Sequence, residues 1–367
     1  MSNDNGQTGS DSAAQATPHG QTLEDFLVKP RRPKRTLIEG ILSARDLITL
    51  VGRRRHGKTT LIGNLALALT LPKPDFLGYP IPQAARVVVF YLEDDETELA
   101  EKLKKMKQEE NTGERFHLYT KGDFLSQKIP VDASAADFQQ RVKAYCSAAK
   151  PDLIVFDNLG MLIKGDYNNA PKINQLMVFF YGLAEENDAA VLLAAHPRKQ
   201  GDLQNNITLK DNPEKFFEEC MGSSHTINTT GSLWGIERND GGTGERTCLL
   251  LGSQRRTGNQ EFTTVEKDEE EWFRLVSDFD ENVSMACNTD KRRNAWGLLP
   301  SQPFKFLGAV EIVKGIMAKS SFSSFWRELI RFNLVRPADG DESTYVKASR
   351  ESYSWGAREE PNQPNQP

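Results

Sequence analysis

The sequence predicts an α/β protein: a core built on a mainly parallel sheet, followed by a small C-terminal module of helices and a hairpin. Three observations carry that prediction. Apolar runs of strand length alternate with amphipathic helical stretches from Leu47 to Ala195, the pattern of a sheet covered on both faces. The glycine-rich stretch Gly52-Arg53-Arg54-Arg55-His56-Gly57-Lys58-Thr59-Thr60 joins the first of those runs to a helix. Beyond Met285 the periodicity turns helical, and a short strand-turn-strand follows.

Composition narrows the classes. The chain has 367 residues, 38% hydrophobic and 26% charged, enough for one large domain and a small one. No run approaches the roughly eighteen apolar residues that span a bilayer. The first twenty residues contain no apolar signal region, so neither membrane nor export is expected. Cys146, Cys220, Cys248 and Cys287 never pair as C-x-x-C; this argues against a zinc site or disulfide framework and fits a reducing cytoplasm. The net charge of −5 offers no general attraction to nucleic acid, but it is unevenly spread. From Lys291 to Arg336 there are nine Lys or Arg and two acids, Glu311 and Glu328, whereas Glu266 to Glu281 is strongly acidic. A basic module in an acidic chain points to a partner.

The elements follow in order. Residues 1–28 read as a polar, disordered arm. Lys29 to Arg35 is a basic linker broken by Pro30 and Pro33, and the large α/β domain runs over residues 29–280. Leu47 to Val51 is the first strand, and Leu61 to Leu69 lies in the helix behind the glycine-rich turn. Phe76 to Pro80 reads as a loop. Arg86 to Leu92 is a buried strand, Glu96 to Glu110 a helix with Leu99, Leu103 and Met106 on one face, and Ala135 to Ala149 another helix. Asp152 to Asp157 is a strand, Ile173 to Glu186 a helix, and Ala190 to Ala195 a strand ending at His196. Antiparallel strands are expected over Thr229 to Arg238, Arg246 to Gln254, Thr263 to Val265 and Trp272 to Leu275, with Gly241 to Gly244 as a hairpin turn. In residues 285–350, helices over Arg293 to Leu299, Ala309 to Met317 and Ser321 to Phe332 precede a hairpin from Leu334 to Lys347. Three helices and a hairpin of that length read as a winged-helix domain. Residues 351–367 read as a disordered tail.

The stretch Gly52 to Thr59 matches G-x-x-x-x-G-K-[ST] between a strand and a helix, the context the motif requires. Its glycines let backbone N–H groups curl round a polyphosphate, and the helix adds its positive end. The whole stretch, Gly52, Arg53, Arg54, Arg55, His56, Gly57, Lys58, Thr59 and Thr60, is the expected site of a nucleoside triphosphate. Lys58 would bridge the β- and γ-phosphates, Thr59 would hold Mg²⁺, and Asp157 at a strand end would hold the metal's water shell. Glu93 ends a strand where its carboxylate can deprotonate an attacking water, with Asp94 and Asp95 as neighbouring rivals. His196 ends the next strand and suits a sensor of the γ-phosphate. Arg255 and Arg256 end a strand before Thr257-Gly258, as an arginine finger reaching a neighbouring subunit would.

These segments, together with Tyr91-Leu92-Glu93-Asp94, Pro151 to Asn158, Ala195 to Lys199, Met221-Gly222-Ser223-Ser224 and Gln254 to Gly258, resemble in order the RecA-fold ATPases. The closest likeness within them is to the RepA-type hexameric helicases of plasmids and related mobile elements. The likeness covers about Leu37 to Leu275. It implies a RecA-like core, ATP and Mg²⁺ at each boundary of a homo-oligomeric ring, a hexamer in that family, and single-stranded DNA in the central hole. It assigns catalysis to Lys58, Glu93, Asp157, His196 and an arginine of the pair Arg255 and Arg256, with Arg256 nearer the family position. It also places Lys164 to Lys172 and Pro197 to Met221 at the pore, where Lys164, Lys172, Arg198, Lys199, Lys210 and Lys215 suit tracking of a DNA backbone. The family's Arg-Gly-Ser-Ser begins with Met221 here, and Gln254 stands where a lysine often does.

The terminal module is readable from its own residues. Phe322, Phe325, Trp326, Leu329 and Ile330 form an apolar face, with Ser324, Arg327 and Arg331 on the other side, a pattern that suits insertion into a DNA major groove. The leading expectation is an ATP-driven DNA motor, a ring-forming replicative helicase. An ATP-switched DNA-binding or recombination regulator without unwinding activity is the alternative.

Overall fold

The structure is a computed structural model and describes residues 22–71, 73–165, 170–196, 207–218, 230–238, 246–254, 262–276, 279–332, 334–338 and 341–349. The chain divides into a short N-terminal unit up to Lys34 and a large unit from Arg35 onward. Among its described residues the short unit holds the helix Leu23–Val28, at the end of the arm expected to be disordered. Thr22 caps it, its hydroxyl accepting from the Asp25 N–H, and Glu24 and Asp25 sit in the first turn, where carboxylates favour the helix dipole. Every residue of this helix is exposed.

The large unit begins with a small hairpin of β1 (Thr36–Ile38) and β2 (Leu42–Ser43). The strands that follow are β3 (Leu47–Gly52), β4 (Asp75–Phe76), β5 (Tyr79–Pro80), β6 (Val87–Tyr91), β7 (Phe116–Thr120), β8 (Leu153–Asp157) and β9 (Ala190–Ala195). Next come β10 (Ser232–Arg238), β11 (Arg246–Gln254), β12 (Phe262–Lys267), β13 (Phe273–Leu275), β14 (Phe304–Lys305), β15 (Val335–Ala338) and β16 (Asp341–Lys347). Nine of them form one sheet in the order β13-β12-β11-β10-β3-β9-β8-β6-β7. From β10 to β7 all neighbours are parallel, and from β10 to β13 all are antiparallel.

Strand alternation sorts the core into two layers. Val87, Val89 and Tyr91 join Leu61, Ile62 and Leu65 of the helix Lys58–Thr70 on one face. Val88 and Phe90 join Phe138 and Val142 of the helix Ala136–Ala149, and Ile173 and Phe180 of the helix Ala170–Asn187, on the other. The helix Lys58–Thr70 is buried at every position except Thr59, as expected of a helix apolar all round. The sheet thus has the mostly parallel organisation of a RecA-like core.

The strands expected from the apolar runs are present, with ends displaced by a residue or a few. Strand β7 was not foreseen. Among the described residues it pairs with β6 alone, and it is half-buried along its length, so it lacks the continuous apolar run of a central strand. The expected loop Phe76 to Pro80 is the tight hairpin β4-β5. The Gly241 to Gly244 turn lies outside the described residues, although β10 and β11 pair as expected, Arg238 opposite Thr247.

The C-terminal part holds helices Phe279–Ala286, Asp290–Leu298, Phe306–Val313 and Lys319–Arg331, with a three-stranded antiparallel sheet in the order β14-β16-β15. Phe322, Phe325, Trp326 and Leu329 belong to the same core layer as the helix Lys58–Thr70. Arg331, expected to face DNA, does not. Its side chain is 3% exposed, pairs with Glu328 at 3.3 Å, donates to the Tyr79 hydroxyl and to Thr263 Oγ1, and lies over the rings of Tyr79 and Phe332. The hairpin β4-β5 and strand β12 cover that side of the helix, so the guanidinium joins module to core and is withdrawn from any ligand.

Candidate functional site

Strand β3 lies between β9 and β10, so the connections from its carboxyl end and from its neighbours diverge. Such switch points leave a crevice at the carboxyl ends of the strands. A cleft of about 960 Å³ opens there, lined by Arg54 to Thr60, Glu93, Asp94, Asp157 and His196 on one side and by Arg238, Thr247, Lys267, Glu271 and Phe273 on the other.

The phosphate loop is built by backbone shape. Arg55 has φ +64° and Gly57 φ +96°, and Gly57 is the left-handed residue from which the helix starts at Lys58. A side chain on Gly57 would be strained and would meet Phe273 at 2.9 Å, so only glycine fits. Lys58 is buried, and its ammonium donates to the Gly52 carbonyl at 2.8 Å and the Arg53 carbonyl at 3.1 Å, and lies 2.9 Å from His196 Nδ1. Burial pulls its pKa down to about 8, against the raising effect of Asp157 and Glu93. Thr59 Oγ1 donates to Asp157 Oδ2 at 2.7 Å. Burial pushes the Asp157 carboxyl up to about 6, although the Thr59 bond and Lys58 oppose it. A hydroxyl and a carboxylate are oxygen donors of the kind Mg²⁺ takes, with phosphate and water oxygens completing its shell. The pair therefore fits that ion.

Glu93 stands at the centre of a second network. Arg54 donates to its Oε1 at 2.8 Å, Asn158 donates to its Oε2, and His196 Nε2 lies 3.3 Å from the same oxygen. With Lys58 donating to Nδ1, the His196 proton lies on Nε2 and is donated to Glu93; the Gly52 carbonyl also lies 3.3 Å from Nδ1, and Asn158 Nδ2 3.2 Å from Nε2. An unbroken line then runs from Lys58 through His196 to Glu93. Burial raises the Glu93 pKa, but the bonds from Arg54 and His196 outweigh it and hold the carboxyl below its ordinary value. Burial, followed by the Lys58 charge, lowers that of His196, so the imidazole is neutral.

The sequence-predicted residues sort into four groups. Arg54, Arg55, His56, Gly57, Lys58, Thr59, Thr60, Glu93, Asp157 and His196 meet in the cleft. Gly52 and Arg53 stand behind it: their carbonyls hold Lys58, and the Arg53 side chain turns away to the Ile207 carbonyl. Lys210 and Lys215 are exposed outside the cleft, and in the terminal module Arg327 is exposed and Ser324 half-buried. Arg198, Lys199, Arg255 and Arg256 lie outside the described residues, as do Met221 to Ser224. Sequence reasoning missed Asn158, although it directly follows Asp157, and it missed the whole wall from Arg238 to Phe273. Long-range bonds join that wall to the loop and its helix: Asn64 accepts from the Phe273 N–H at 2.7 Å, and the Arg238 N–H donates to His56 Nδ1 at 3.0 Å.

Fold and cleft together define a nucleotide-hydrolysing P-loop NTPase. Residues 13–202 match the family described as an AAA domain, more than half of the 367 residues, and the chain belongs to that family. No curated protein matches the chain. Among the described residues, no helix is long and apolar enough to cross a membrane.

Proposed function

We propose that the chain is an ATP-dependent DNA motor, a ring-forming replicative helicase of the RepA type, whose subunits complete one another's ATP sites. The line Lys58–His196–Glu93 carries this reading, because it ties the phosphate-gripping cation to the strand-end carboxylate that suits a general base. ATP would lie with its phosphates in the curl Arg54 to Thr60, drawing Lys58 off its carbonyls. Glu93, already ionised, takes the proton of the attacking water. His196 loses its donor when Lys58 leaves, so the imidazole registers the phosphate and passes the change to the chain that follows β9. Bound Mg²⁺ would neutralise charge on the phosphates, and Thr59 with Asp157 would hold it. Arg255 and Arg256 are proposed to act across the subunit boundary.

DNA is the proposed partner for two reasons. Lys210 and Lys215 project from segment 207–218. The terminal module follows the order helix, strand, two helices, then two paired strands, which supports a winged helix with Lys319 and Arg327 exposed on its last helix. Strand displacement on a forked DNA tests the reading. The wild-type chain should unwind it with ATP and Mg²⁺, and Lys58→Ala should not; ATP-stimulated binding without displacement would favour the regulator instead. Sizing with a slowly hydrolysed ATP analogue should show a ring.

A further inference from the structure

Segment 207–218 is remote in sequence from the phosphate loop, yet direct bonds tie the two together. The Arg53 guanidinium donates to the Ile207 carbonyl at 2.9 Å and faces the Glu237 carboxylate at 3.6 Å. The Leu209 N–H donates to the other oxygen of that carboxylate. Ile236 pairs with Gly52 in the sheet, which sets Glu237 beside Arg53, and the Glu237 side chain is only 7% exposed. Leu209 is fully buried on top of Gly235, where a Cβ would come within 2.5 Å of Leu209 Cδ1. Beyond it, Thr208 donates to Asp211 at 2.6 Å, and Asn212 accepts from the Lys215 N–H at 3.0 Å at the start of the helix Pro213–Glu218. Phe216 and Phe217 are buried, so Lys210 and Lys215 face outward.

Arg53 works at both ends. Its carbonyl accepts from Lys58 Nζ at 3.1 Å, a bond that a bound phosphate would break. Its guanidinium holds the segment that carries Lys210 and Lys215. Glu237 makes this a linkage with two ends: drawing a guanidinium away from a buried carboxylate it faces is unfavourable, so a shift of Arg53 draws Glu237, and with it the Leu209 amide.

We propose that Glu237 is the positioning residue that transmits occupancy of the phosphate loop to segment 207–218 and so sets where Lys210 and Lys215 stand. The inference rests on the cleft being a nucleotide site, and it holds whether the outer partner is DNA or not. Amide hydrogen exchange of the full chain, with and without a slowly hydrolysed ATP analogue, tests it. In the wild-type chain the analogue should change exchange at Leu209 and its neighbours on the order of fivefold or more, the range of ordinary site-to-site coupling. In Glu237→Ala the analogue should bind as before while the change at the Leu209 amide loses most of its size, the direct Arg53–Ile207 bond remaining. Glu237→Gln is the companion should the alanine variant not fold: it keeps an acceptor for the Leu209 N–H but no charge for Arg53, and should lose most of the response. A merely structural role would alter exchange equally with and without analogue. Equal nucleotide responses in wild type and variants, or no response in a wild-type chain that binds the analogue, would overturn the inference alone. A wild-type chain that does not bind the analogue would instead overturn the reading of the cleft.

Discussion

Two buried cations, Lys58 and Arg331, show opposite uses of the same expensive arrangement. Lys58 is held by two carbonyls and a neutral imidazole, with the carboxylates of Asp157 and Glu93 nearby but bonded elsewhere. Its partners are weak enough to be exchanged for phosphate. Arg331 is closed in by a carboxylate, two hydroxyls and two aromatic faces. Its two terminal nitrogens donate to the protein itself, and burial closes the group off from any ligand. Burial of charge alone does not identify a site; the identity of the partners decides between a grip and a joint.

The largest expected effect separates the two directly. Lys58→Ala should lower nucleotide turnover on the order of a hundredfold or more, the scale of losing one donor to a developing negative charge, while leaving thermal unfolding almost unmoved. Phosphate release and a melting curve measure both; a variant that unfolds would show that Lys58 is structural after all. Arg331→Ala should do the reverse, since it strands Glu328 in the interior. A loss of about 3–5 kcal/mol in stability is expected, read by denaturant titration, with DNA affinity of the folded fraction unchanged.

The pH dependence sharpens the contrast next. In the proposed reaction Asp157 holds Mg²⁺ in its ionised form, so its pKa of about 6 should make kcat/KM fall as pH drops through that value. Lys58 must be protonated to grip phosphate, and its pKa of about 8 makes kcat/KM fall as pH rises through that value. A bell with those two limbs is expected from initial rates. The smallest effect belongs to the exposed basic face. Arg327→Ala should reduce the slope of log affinity for duplex DNA against log salt by ~1, without altering turnover; an unchanged slope would remove Arg327 from the interface.

The two regions also differ in how far they can be read from the chain. The phosphate loop is local: its glycines, Lys58 and Thr59 are consecutive, and the flanking strand and helix announce themselves by composition. Glu93, Asp157 and His196 were legible because parallel strands deliver their carboxyl ends to one edge of a sheet. Asn158 adjoined that pattern without standing out from it. The wall formed by Lys267, Glu271 and Phe273 comes from a separate hairpin and carried no signal. In the terminal helix, the 3.6-residue periodicity found Phe322, Phe325, Trp326 and Leu329, but it assigned Arg331 to solvent because periodicity cannot say that a second surface covers the flank.

Local sequence therefore determined the curl that fits a polyphosphate and the strand ends that converge on it, because both follow from backbone geometry over a few residues. Only the folded chain decided the partners of each charge: Glu93 with Arg54 and Asn158, Glu237 with Arg53, Arg331 with Tyr79 and Thr263. Those pairings join residues far apart in the chain, and the free energy of a buried charge depends on which groups packing brings beside it.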